Sequence, residues 1–122
     1  MKINLNNIKG LLLDLEGVVY ESDKIIDGAI ETVDKLLSQD FKIKYLTNTT
    51  TTSRKLIFKK LLQFKLPLVE SDIFSPSIAA NIFLKKKNIS KIFLLTNPQL
   101  SEDFKEFKID KNKSVAIIIG DL

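Results

Sequence analysis

The chain contains neither cysteine nor histidine among its 122 residues. Without cysteine there are no disulfides and no thiolate metal sites, and a cytoplasmic home is the default expectation. Without histidine, imidazole bases, histidine ligands and Ser-His triads are excluded outright. Any chemistry runs on Asp, Glu, Lys, Ser, Thr, Tyr or the backbone. Arginine is scarce as well, Arg54 being the only one. No apolar run approaches the roughly 20 residues of a membrane span, so no membrane partner is expected. The opening stretch MKINLNNIKG has a lysine but no apolar segment or small-residue cleavage site, and does not read as a signal peptide.

The remaining composition suits one globular domain. The hydrophobic fraction is 44%, and a chain of this length can bury roughly two thirds of its unfolded surface. Lys plus Arg number 19 against 15 Asp plus Glu, a formal charge of +4. The cations are scattered except at Lys85, Lys86 and Lys87, which read as a solvated helix end. No aromatics interleave with them, so no nucleic-acid partner is expected. The excess can equally favour small anionic substrates.

Strand-like and helix-like segments alternate along the whole chain. GLLLDLEG is a continuous apolar run of strand length, the pattern of a strand buried on both faces. Ile26, Ala29, Ile30, Val33, Leu36 and Leu37 then recur at helical spacing, with Asp27 placed to cap the helix. FKIKYLTN is a second strand, and the polar residues 49–53 lead into a helix with Ile57, Leu61 and Phe64 on one face. DIFSPS is a short extended piece, and Ser75 followed by Pro76 is a helix start whose predicted buried stripe is Ile78, Ala79, Ile82 and Phe83. KIFLLTN and SVAIIIGDL are two further strands, with a short helix predicted over residues 98–107 between them. This order predicts an α/β, Rossmann-like, mostly parallel sheet with flanking helices and right-handed crossovers.

In such sheets ligands bind outside the carboxyl ends of the strands. Asp14, Glu16, Thr47 and Asn48 all fall there. Each also has an ordinary explanation, since Asp-x-Glu-Gly closes many strands and Thr-Asn favours turns. The set nonetheless suits phosphate chemistry. A carboxylate such as Asp14 is a nucleophile needing no base, and it can bind Mg²⁺, a hard cation that prefers oxygen ligands. Glu16 can protonate a leaving group while its backbone carbonyl takes a metal position. Gly17 permits a tight turn, and Thr47, Asn48 and the loop after them can donate to phosphoryl oxygens. Tyr20 and Tyr45 read as packing residues rather than acids.

Taken in order, the pieces resemble the haloacid dehalogenase superfamily of phosphohydrolases. Asp14-Leu15-Glu16-Gly17-Val18 resembles the first motif of that family, and a strand ending in Thr47 resembles the second. DLEGVVY, DGAIETVDKLL, YLTNTTTTSRKL and DIFSPSIAANIFLKKK together are similar to the branch of nitrophenylphosphatase, phosphoglycolate phosphatase and phospholysine phosphohistidine inorganic pyrophosphate phosphatase enzymes. The resemblance implies an Mg²⁺-dependent phosphatase acting on small phosphorylated substrates. Asp14 would form a phospho-aspartate, and Mg²⁺ would be bound by its carboxylate and the Glu16 carbonyl. Thr47 would orient the phosphoryl group with Asn48 beside it, and Ser53 and Arg54 would serve as helix start and loop support.

Two departures stand out. The family usually has Asp where this chain has Glu16, an arm longer by one methylene. The family also runs on through a cap domain to a later lysine and a terminal acidic motif. The resemblance therefore implies an incomplete core over residues 1–88 and the start of an inserted α/β cap over residues 89–122. On that reading Asp121 is not the terminal acidic motif, and activity would be impaired without the missing C-terminal half. The alternative is a non-catalytic module whose unfinished sheet, near residues 115–119, pairs with a second copy or another chain.

Overall fold

The computed structural model describes residues 6–122. The first five residues of MKINLNNIKG, the stretch read against a signal peptide, lie outside the described residues. The elements run β1 (Gly10–Asp14), β2 (Tyr20–Glu21), β3 (Lys24–Ile25), α1 (Ala29–Ser38), β4 (Lys42–Leu46), α2 (Arg54–Gln63), a 3₁₀ turn (Glu70–Asp72) and β5 (Ile73–Phe74). Then come α3 (Pro76–Lys86), β6 (Lys91–Leu95), a 3₁₀ helix (Pro98–Phe104), β7 (Lys108–Ile109) and β8 (Ala116–Ile119).

The parallel pairing expected from the alternation is present, distributed over two three-stranded sheets rather than one. The first has the order β1-β4-β5, the second β7-β6-β8, and β2 and β3 form a small antiparallel hairpin. Within the first sheet Asp14 is the register partner of Leu46, so β1 and β4 end side by side. Leu15 donates its N–H to the Leu46 carbonyl at 3.1 Å, which carries the pairing one step past the strand ends.

Each sheet owns a core. Leu15, Val19, Val33, Ile43, Tyr45, Ile57, Leu61, Leu66 and Ile73 are buried in the first. Leu84, Ile92, Leu100, Phe104 and Phe107 form the second. Burial of β1 on both faces, expected from its apolar run, is not observed. Leu11 and Leu13 pack on the core, but Leu12 is 69% exposed, because among the described residues only one face of β1 is covered.

Three local expectations are also revised. Helix α1 begins after Gly28, whose φ of 80° is the left-handed region that glycine enters without strain, so Asp27 is not its cap. Helix α3 does begin at Ser75 and Pro76 as its sequence indicates, yet it buries Ser77 and Leu84, leaving Ile82 and Phe83 more than half exposed. The reason is polar: Ser77 and Asn81 hydrogen bond to Asp103, which turns that face toward the 3₁₀ helix. The helix predicted over residues 98–107 is a 3₁₀ helix ending at Phe104, with β7 after it.

Candidate active site

The turn after β1 is wound around one backbone carbonyl. Leu15 O accepts from the N–H groups of Val18, Val19 and Tyr20, and the Gly17 N–H donates to Tyr20 O at 2.7 Å. Gly17 has φ of 80°, so a side-chain-bearing residue there would be strained. This winding sets Asp14 at the sheet rim and swings Glu16 toward the hairpin. The Asp14 carboxylate accepts the Leu15 N–H at 3.0 Å. The Glu16 carboxylate accepts the Ser22 N–H at 2.7 Å, at the hairpin turn where Ser22 itself has φ of 54°.

On the neighbouring strand Thr47 is placed by its N–H, which donates to Phe74 O on β5 at 3.2 Å. The Thr47 hydroxyl oxygen accepts the Thr49 N–H at 3.2 Å. The hydroxyls of Thr49, Thr51 and Thr52 continue as a chain of contacts at 3.2 and 3.4 Å. Among the described residues no hydrogen bond engages the Asn48 side chain.

A cavity of about 460 Å³ collects Glu16, Thr47 and Asn48 on one surface with Tyr20, Thr52, Lys60 and Asp121. Three of the four sequence candidates thus meet. Asp14 does not line this cavity; it stands at the adjoining strand end, paired in register with the residue before Thr47. Lys60, Tyr20 and Asp121 are not site candidates by sequence. The signal for Lys60 is helical spacing, since it comes one turn of α2 after the buried Ile57. Lys60 donates to Ser22 O at 2.6 Å and lies 4.4 Å from the centre of the Tyr20 ring, a cation–π contact. Burial, with Glu16 and Asp14 nearby, raises the Tyr20 pKa, keeping the phenol neutral.

Ser53 and Arg54 stand at the start of α2, as expected of a helix start. Ser53 is buried, and Arg54 pairs with Glu70 at 3.3 Å. The Arg54 N–H is capped from a distance by the Asp103 carboxylate, at 3.0 and 3.1 Å.

The donor set can be tested against a metal. Among the described residues no three carboxylates gather into a cluster. Asp14 offers one carboxylate at the rim, and among the described residues the Glu16 carbonyl accepts no backbone hydrogen bond. Two oxygens of this kind fit a cation that commonly keeps waters and takes only one or two protein carboxylates beside substrate phosphate.

The fold is that of a haloacid dehalogenase-like hydrolase. The model of that family matches residues 11–110, and the chain belongs to it. Among its relatives, phosphoglycolate phosphatase 1A (chloroplastic) of Arabidopsis thaliana is 33% identical over 87 residues, covering 71% of this chain and 24% of that protein. Phospholysine phosphohistidine inorganic pyrophosphate phosphatase of Danio rerio is 29% identical over 121 residues, covering 96% of this chain and 44% of that protein. The solved p-nitrophenyl phosphatase from Archaeoglobus fulgidus superposes with a TM-score of 0.77 at 27% identity, over 84% of this chain and 41% of that one. The chain thus spans between a quarter and a half of the length of these relatives.

Proposed function

We propose that the chain carries the nucleophile half of an Mg²⁺-dependent phosphatase acting on small phosphate monoesters. The observation that supports this most is the side-by-side ending of β1 and β4, which sets Asp14 beside the Thr47 loop, with Glu16 and Asn48 on one cavity. An Asp14 carboxylate oxygen attacks phosphorus as the ester P–O bond breaks, and the leaving oxygen takes a proton from Glu16. Water then attacks the phospho-aspartate, returns a proton to Glu16 and releases inorganic phosphate. The Thr47 hydroxyl and the N–H groups of the loop hold the phosphoryl oxygens. Mg²⁺ would be held by the Asp14 carboxylate and Glu16 carbonyl and would neutralise phosphoryl charge. Glu16 is engaged with the Ser22 N–H in the structure, so proton transfer requires it to leave that donor.

By resemblance, residues 1–88 are an incomplete core and residues 89–122 the start of a cap. The deciding experiment is hydrolysis of p-nitrophenyl phosphate with Mg²⁺, wild type against Asp14→Asn. Turnover abolished by the substitution supports the reading; equal turnover in both sinks it.

A second reading is favoured by one feature of β8. Val115, immediately before this edge strand, and Ile117 and Ile119 within it are 72%, 58% and 73% exposed at alternate positions. Such a stripe suits pairing with a second copy or another chain. A monomer at high concentration in analytical ultracentrifugation argues against self-pairing.

A further inference from the structure

The Thr47 loop is held by a residue 71 positions from its partner. Just beyond β8, Asp121 accepts the Thr50 hydroxyl at 2.5 Å, and its own N–H donates back to the Thr50 hydroxyl oxygen at 3.3 Å. The surrounding backbone is fixed in turn. Gly120 N–H donates to Leu95 O at 3.1 Å, and Asn97 N–H donates to Asp121 O at 2.9 Å. The approach is close: a β-carbon at Gly120 would stand 3.2 Å from the Thr50 carbonyl oxygen and 3.4 Å from a Thr96 methyl. Asp121 also lines the cavity that holds Glu16, Thr47 and Asn48.

We propose that Asp121 is a positioning residue for the phosphate loop, acting through Thr50 to hold Thr47 and Asn48 in a phosphate-binding arrangement. The second sheet thereby finishes a site whose reacting groups all belong to the first. This inference rests on the function proposed above. A free loop of polar residues samples many conformers, and each residue fixed in advance removes an ordering cost from binding. The bond that ties Thr50 to the second sheet is charge-assisted, the stronger kind.

The carboxylate also has an opposing effect, since a negative charge beside a phosphate site repels the ligand. Two substitutions separate the effects. Thr50→Val removes the clasp without changing charge. Asp121→Asn removes the charge and leaves an acceptor for the Thr50 hydroxyl.

The test uses the 122-residue chain with Mg²⁺ and inorganic phosphate, reading amide hydrogen exchange of residues 47–53 and phosphate affinity. Thr50→Val is expected to speed exchange across the loop and weaken phosphate binding about tenfold, the scale of one charge-assisted hydrogen bond. Asp121→Asn is expected to leave exchange slow and phosphate binding equal or tighter. Unchanged exchange in Thr50→Val overturns the clasp, and faster exchange with unchanged affinity overturns its positioning role. If wild type binds no phosphate at all, the proposed function fails first and the positioning role with it.

Discussion

The same three residues, Leu-Thr-Asn, end the central strand of each sheet, and the two copies do different things. After β4 they are Leu46, Thr47 and Asn48; after β6 they are Leu95, Thr96 and Asn97. Asn97 is used up locally. Its side chain accepts the Gln99 N–H at 3.0 Å, and Pro98 starts a 3₁₀ helix at once, a combination that ends the strand and caps the helix after it. The Thr96 hydroxyl donates to the Asn97 carbonyl at 3.3 Å. Thr47 keeps its hydroxyl proton available, and Asn48 keeps its amide, because five more polar residues intervene before α2. The segment downstream of a strand end, rather than the strand end itself, decides whether its polar side chains serve a cap or line a cavity.

The strongest way to break this division of labour is at Asp103, where the second half caps the first. Its carboxylate accepts from the Arg54 N–H at the start of α2 and from the Ser77 hydroxyl at 2.6 Å at the start of α3. One acidic side chain thus serves two helix N-termini. Asp103→Ala leaves both donors without that acceptor and is expected to cost about 2 kcal/mol or more, since hydrogen bonds to charged groups are worth roughly 1.5–3 kcal/mol. Urea denaturation measures it. A loss no larger than that of Ser101→Ala, whose hydroxyl bonds only to Pro98 O in its own 3₁₀ helix, would show that the two halves are not coupled there.

A smaller effect tests the paired threonines themselves. Thr47→Val should weaken Mg²⁺-dependent phosphate binding about tenfold, or roughly 1.4 kcal/mol. Thr96→Val keeps the methyl that faces Gly120 and should leave phosphate binding unchanged. Isothermal titration of both variants with phosphate decides it. Equal losses would mean that the two strand ends share one role.

Much of this is legible in the sequence because apolar or alternating parallel strands and amphipathic helices carry their period openly. β1, β6 and β8 are apolar runs, β4 alternates lysines with Ile43 and Tyr45, and Asp14, Glu16, Thr47 and Asn48 lie at or beyond strand ends as a parallel α/β sheet predicts. The misses have physical causes. The hairpin of β2 and β3 has two-residue strands, too short to show alternation. Helix α3 turns its polar Ser77 and Asn81 inward because Asp103, 26 and 22 residues away, waits there to bond them. Asp121 joins the cavity through a contact across 71 positions, which no local pattern reports, whereas Lys60 is signalled only by its spacing from Ile57 on α2.

The two cores differ in one more respect, and it yields the smallest expected change. The second is wholly apolar, whereas the first encloses Tyr45, 1% exposed, whose hydroxyl has no hydrogen-bond partner among the described residues. Burial above all, then Asp72 and Asp34, pushes the Tyr45 pKa up to about 12. A buried hydroxyl without a partner costs more than it returns, so Tyr45→Phe should stabilise the chain by about 1 kcal/mol near neutral pH. The same change should alter alkaline behaviour. A folded pKa above the unfolded value of about 10 contributes stability that is present below that pH and is lost as pH rises toward the folded value. Wild type should therefore weaken relative to Tyr45→Phe between pH 10 and about 12. Thermal unfolding of both proteins from neutral to alkaline pH tests this directly. A Tyr45→Phe variant less stable at neutral pH would mean that the hydroxyl has found a partner, and that the first core is as well satisfied as the second.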